Sequence, residues 1–335
     1  MKPGLRYLRP IAGVAGIALF FCMLQRTGPE AVLQNIRAFG WGVVALILLS
    51  GLRHILRALA WSYCVQTDGR RPRWFEFLGP RLVGEALNDL TPAGPLLGEP
   101  ARVVAVSRLM PAQTAASSVV LENLIFGLGA VLFMLSGIVL AVISVAALRG
   151  FWWVGGGLVS CFLACLGLVW WAVSRRLLLL GAVFDSLKRR GLGWGFLQRH
   201  EQSVRAVEQT VHDFFLKSRR TFLAVLAIEI ATNFTGIGEV YLILKVTTSH
   251  SSLFAAYLVE SASRAVQIAF SFVPLGLGVQ EGAAAATLQA IGHAATEGIS
   301  LAVLRKIRSL FWAVIGLLLL ARYSMIFPAA ERSTT

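Results

Sequence analysis

The chain has 335 residues, of which 56% are apolar and 14% charged, and its mean hydropathy is +0.71. A soluble domain of this length does not carry that balance, and several windows of about 20 residues are nearly uncharged, so the class is integral membrane protein. The net charge of +14 is not a nucleic-acid signature, because the bases collect between apolar windows, as in cytoplasmic loops beside an anionic leaflet.

Lys2, Arg6 and Arg9 precede the first apolar window, about Ile11 to Leu24, and place the N-terminus inside by the positive-inside rule. No small-residue cleavage site follows that window, so it is expected to be retained. A second span is expected over about Phe39 to Trp61. Its Arg53 and Arg57 share a helix face and are expected to snorkel to the inner interface, with His54 beside them. A basic inner loop, Gly69 to Arg73, comes next.

A broken hairpin follows over about Trp74 to Arg108, too short and too polar for two full spans. Its core reads Pro92-Ala-Gly94, then four residues, then Glu99. The pattern returns as Pro274-Leu-Gly276, then four residues, then Glu281, within a second hairpin at about Leu253 to His293. Proline and glycine break a helix and free its backbone groups, which is tolerated at membrane depth only inside protein or beside a wet cavity. Paired broken segments in two halves of a membrane chain point to a transport site.

Between the hairpins lie a third span at about Ser117 to Ala147, a fourth at about Phe151 to Val173, and a fifth at about Thr221 to Lys245. The third begins with Glu122-Asn123, and the fifth contains Glu229, Asn233 and Glu239. Arg175 to Arg220 is dense in bases and is expected inside, where Val204, Val207, Val211, Phe214 and Phe215 form the apolar face of a helix lying on the inner leaflet. A last span is expected over about Ile299 to Phe327. The expected fold is therefore all-α: six full spans plus two re-entrant hairpins in an inverted repeat. Residues 1–174 form the first half, 175–220 the linker and 221–335 the remainder. Counting both hairpins as full spans is the alternative.

Ionisable groups at bilayer depth cost several kcal/mol unless paired or wet, so they are the informative residues. Around the first hairpin they are Arg81, Glu85, Asp89, Glu99, Arg102 and Glu122, with Asn88 among them. Around the second they are Glu260, Arg264, Glu281, Arg305, Lys306 and Arg308, with Gly278 at the break. Arg81–Glu85 and Glu260–Arg264 are spaced to pair on one helix face. Glu99, Arg102, Glu281 and Arg308 stand beside broken backbone, where helix N-termini offer free N–H groups to an anion. The chain displays no nucleophile elbow, no HExxH motif and no Walker loop. Cys22, Cys64, Cys161 and Cys165 lie in apolar surroundings and read as small apolar residues, so no metal or cofactor is expected.

Gly84-Glu85-Ala86-x-Asn88 with Pro92, and Gly98-Glu99-x-x-Arg102, resemble the first signature of the lysylphosphatidylglycerol-synthase transmembrane (flippase-like) family. Phe272-Val-Pro274-x-Gly276-x-Gly278-Val-Gln-Glu281-Gly282 resembles its second signature. Leu304-Arg305-Lys306-x-Arg308, followed by Trp312 and Gly316, is similar to members associated with hopanoid biosynthesis. The resemblance implies an inner-membrane protein that moves or handles a lipid without ATP and without enzymatic chemistry. Its implied partners are the bilayer, a membrane lipid and lipid-biosynthesis enzymes, with a homodimer left open. A scaffold for lipid synthesis and a membrane-embedded lipid transferase are the competing readings. Two positions depart from the family: Asn123 and Phe126 stand where many members carry arginine and aspartate. The soluble aminoacyl-transferase domain of the synthases does not appear in the sequence, so lipid aminoacylation is not expected.

Overall fold

The computed structural model describes residues 30, 37, 39–67, 72–91, 94–144, 153, 156–157, 160, 163–164, 209–215, 218–247, 251–270, 273 and 278–325. Among these residues the fold is all-α, with no strand. The expected first span, most of the fourth span and of the basic segment, and Pro92, Pro274 and Gly276 lie outside them.

Helix α1, Gly42–Tyr63, is the expected second span. A 3-10 turn at Trp74–Phe77, whose Glu76 carboxylate accepts a hydrogen bond from the Arg73 amide, leads into α2, Leu78–Leu90. Helix α2 folds back through Thr91 into α3, Gly94–Val106. Helix α4, Ala112–Ser144, is the third span, and α5, Arg219–Thr247, the fifth. Ser252 caps α6, Leu253–Ala269, by accepting from the Ala255 amide at 3.0 Å. Helix α7, Val279–Ala290, begins at Gly278, whose φ of 79° a side chain would strain. Helix α8, Ala295–Met325, covers the expected last span.

Length separates two kinds of helix. At 1.5 Å per residue α2 and α3 reach about 20 Å, α7 about 18 Å and α6 about 26 Å, all short of a hydrocarbon core of about 30 Å. Helices α1, α4 and α5 are long and apolar enough to cross. Helix α8 is long enough, but Arg305, Lys306 and Arg308 interrupt its apolar run.

Two apolar clusters sit at opposite ends of α1. One gathers Ala58, Trp61, Phe77, Val106, Val119 and Val225; the other gathers Phe39, Leu46, Val240, Ile243, Val259 and Leu304. The sequence positions show that α1 and α5 run antiparallel: residues near 60 meet 225, and residues near 40 meet 240 to 244. Between the clusters lies a layer of charge.

One expectation fails in the first cluster. Phe214 is fully buried there, packed with Phe215 and Phe222, so it faces protein rather than lipid. Its helical spacing marks an apolar face but does not say what covers that face. Val204 and Val207 lie outside the described residues.

Candidate functional site

The charged layer surrounds a cavity of about 370 Å³. All of α1, α2, α3, α4, α6, α7 and α8 contribute to its wall. Eight cationic side chains line it: Arg53, Arg57, Arg81, Arg102, Arg264, Arg305, Lys306 and Arg308. Four carboxylates share the wall: Glu85, Asp89, Glu99 and Glu260. Four more, Glu122, Glu229, Glu239 and Glu281, are buried within the protein without lining it.

Glu122 of α4 is the knot on the first side. Its carboxylate accepts from Arg57 of α1 at 2.7 Å, Arg102 of α3 at 2.8 Å and Arg81 of α2 at 3.4 Å. One side chain therefore ties four helices together. Glu99 meets Arg102 at 2.9 Å and accepts from the Asn123 amide at 2.8 Å and the Asn88 amide at 3.4 Å. Arg102 also donates to the Asn123 side-chain oxygen at 3.3 Å. The asparagine that departs from the family pattern thus bridges both members of the Glu99–Arg102 pair. The Phe126 ring, at the other departure, lies 3.6 Å beneath the Arg57 guanidinium, in cation–π contact.

Glu260 of α6 plays the matching part on the second side. It pairs with Arg305 of α8, with Arg264 at 3.2 Å and with Arg53 of α1 at 3.5 Å. Glu239 of α5 accepts from Arg308 and lies 3.9 Å from Arg53. Lys306 meets Glu281 at 2.8 Å. Arg57 lies 3.9 Å from Glu229. Above Arg53, the His54 ring packs against the Trp312 ring at 4.7 Å, and the Trp312 N–H donates to Ser50 at 2.8 Å.

Most residues named from the sequence converge here. Glu85, Asn88, Glu99, Arg102, Arg305 and Arg308 line the cavity, and Gly278 sits next to Val279 in its wall. Glu85 and Glu99 are the opener carboxylates, with side-chain exposures of 36% and 26%. Arg81 and Glu85 pair at 3.3 Å, as their spacing predicts.

Three expectations need correction. Arg53 and Arg57 do not snorkel outward; they line the cavity and bridge its two sides. Buried carboxylates on α4, α5 and α6 offer more than the interface does, because an unpaired charge left in the layer would cost several kcal/mol. Second, Glu99 is not at a helix start. Helix α3 begins at Gly94, so Glu99 and Arg102 present side chains, not terminal N–H groups. Third, Glu281 does occupy the first turn of α7, but it is fully buried and acts on the cavity through Lys306. The residues that sequence reasoning passed over as functional are Arg53, Arg57, His54, Glu229 and Glu239. The available signal was complementary: two bases one turn apart in one apolar span, two acids in another.

Full-length apolar helices, half-length paired helices and an internal ion-paired cavity together define an all-α polytopic membrane protein with a buried polar site. The chain belongs to the lysylphosphatidylglycerol synthase TM region family, which it matches over residues 10–317. That membership relates it to lipid handling in a membrane. No curated protein and no solved structure matches the chain.

Proposed function

We propose that the protein is a lipid flippase or lipid transporter of the bacterial inner membrane, moving a lipid with an anionic headgroup between leaflets without ATP. The observation that carries this reading is the cavity wall, where eight cations face four carboxylates inside an apolar protein. A guanidinium-rich pocket in low dielectric suits a phosphate headgroup, which arginine grips through paired hydrogen bonds. The carboxylates hold those cations in place while the site is empty. Tails stay in the bilayer while the headgroup passes through. The short α2–α3 and α6–α7 pairs are re-entrant hairpins from opposite faces, both termini are cytoplasmic, and alternating exposure comes from one half rocking on the other. Phospholipids and polyprenyl phosphates carry the required charge, and a hopanoid-related lipid qualifies if it bears an anionic group. The protein works here as a carrier rather than an enzyme.

The test is leaflet exchange in vesicles containing the purified protein. Exchange of labelled phosphatidylglycerol should appear with the wild-type chain and vanish with Arg308→Ala while the protein stays folded. Unchanged exchange in the variant removes the site assignment. If the wild-type protein exchanges nothing yet binds lipid, an accessory role in lipid biosynthesis is the reading that remains, and a modified lipid among the products would make it a transferase.

A further inference from the structure

The ion pairs of the cavity leave one carboxylate over. Glu85 has Arg81, Glu99 has Arg102, Glu122 has three arginines, Glu229 has Arg57, Glu239 has Arg308, Glu260 has Arg305 and Glu281 has Lys306, each within 4 Å. Asp89 lines the same cavity and has no cation within 4 Å and no hydrogen bond among the described residues. It sits one turn beyond Glu85 on α2, so two like charges share a helix face. From α1 it faces Arg53 and His54, and from α8 Lys306 and Arg308. Helix α3 brings Glu99 and Arg102, bonded to each other.

Among the described residues the charges of the site cancel when every group is ionised: eight cations meet eight carboxylates, Asp89 among them. An arriving monoanion would leave the cavity one negative charge in excess, which is expensive away from water. A proton placed on any of the seven paired carboxylates breaks an ion pair. A proton placed on Asp89 breaks none.

We propose that Asp89 is the proton-binding site of the protein, taking one proton from water as one monoanionic phosphodiester headgroup enters. The headgroup and the proton then cross together, electroneutrally, and release together on the far side. Proton and lipid are thus coupled. This inference rests on the headgroup reading of the cavity.

Calorimetric titration of the purified full-length protein in detergent tests it, with short-chain phosphatidylglycerol as probe and short-chain phosphatidylethanolamine as the zwitterionic control. Runs in buffers of different ionisation heat give the protons taken up per lipid bound. The expected result is one proton per phosphatidylglycerol, and an affinity that falls about tenfold per pH unit across the range of uptake. Phosphatidylethanolamine should draw no proton. Asp89→Asn should bind phosphatidylglycerol with neither uptake nor pH slope. Wild-type binding without uptake overturns the proposal and leaves the headgroup reading standing. Uptake that survives in Asp89→Asn also overturns it. No binding by the wild-type protein at any pH overturns both. Should Asp89→Asn fail to fold, Asp89→Ser takes its place, with the same loss of uptake and slope expected and surviving uptake again overturning the proposal.

Discussion

Arg57 and Glu122 show how much one side chain decides in this protein. Glu122 is fully buried and holds three guanidiniums from three helices. Neutralising it leaves those charges in low dielectric with a single partner fewer than they need. Glu122→Gln should therefore cost about 3–5 kcal/mol of stability, the usual range for breaking a buried pair from one side. Thermal unfolding in detergent measures it, and a melting temperature within a degree of wild type would contradict the role assigned here. Glu99 is a different case. Its side chain is 26% exposed to the cavity. Glu99→Gln leaves one acceptor oxygen and so keeps one of the bonds from Asn88 and Asn123, which reach different carboxylate oxygens, and it should cost less stability than Glu122→Gln while reducing leaflet exchange. The contrast separates a carboxylate that builds the site from one that meets the cargo. Lys306 and Glu281 make a third case: Glu281→Gln should act through Lys306, so Lys306→Met should reproduce its loss of exchange.

At the scale of the element, close packing explains why glycine recurs in the short helices. A Cβ on Gly98 of α3 would fall 2.5 Å from the Gly84 carbonyl oxygen of α2 and 2.1 Å from the Asn88 side-chain oxygen. A Cβ on Gly84 would meet the Arg102 side chain at 2.3 Å. The hairpin closes only because both positions lack a side chain, and that closure aims Asn88, Glu99 and Arg102 at the cavity. Gly98→Ala should cost about 1–3 kcal/mol through overpacking and lower exchange. Gly127 of α4 has nothing within 4 Å of its would-be Cβ, so Gly127→Ala is the matched control and should be neutral or slightly stabilising. Equal destabilisation by both substitutions would mean that the close approach is not what holds the hairpin. Helix α8 docks on α2 in the same way, with Gly316 against the Leu82 carbonyl and Ala86.

At the scale of the whole molecule, the halves are joined through charge of opposite sign. In the repeat expected from the sequence, the second span answers to the fifth and the third to the last. The second carries Arg53 and Arg57, and its counterpart Glu229 and Glu239. The third carries Glu122, and its counterpart Arg305, Lys306 and Arg308. Antiparallel contact of α1 with α5 brings Arg57 to Glu229 and Arg53 to Glu239. If one half rocks on the other, this seam must shift. Cysteines at Leu49 and Gly238, where a Cβ would lie 3.3 Å from the leucine side chain, joined by a short bis-thiol linker, should stop exchange and spare lipid binding. Exchange that continues in the linked protein would exclude rocking along this seam.

The amino-acid sequence alone determined the membrane class, the helices and the candidate charges. Apolar windows mark α1, α4, α5 and α8 to within a few residues of their ends in most cases, because burial in lipid demands long runs without charge. A proline with a glycine two residues on, Pro92 with Gly94 and Pro274 with Gly276, marks each hairpin, although α3 continues through Pro100. Family signatures then picked out Glu85, Glu99, Arg102, Arg305 and Arg308. Only the tertiary structure decided who pairs with whom. Arg53 and Glu260 stand 207 positions apart, and nothing local says that they meet. An ion pair forms within about 4 Å and depends on the rotation of each helix and the depth at which it packs, neither of which is written in a hydropathy pattern. For that reason Arg53 and Arg57 read as interface residues in the sequence and line the cavity in the fold, and Asp89 looked like one acid among many until the pairing of all the others left it alone.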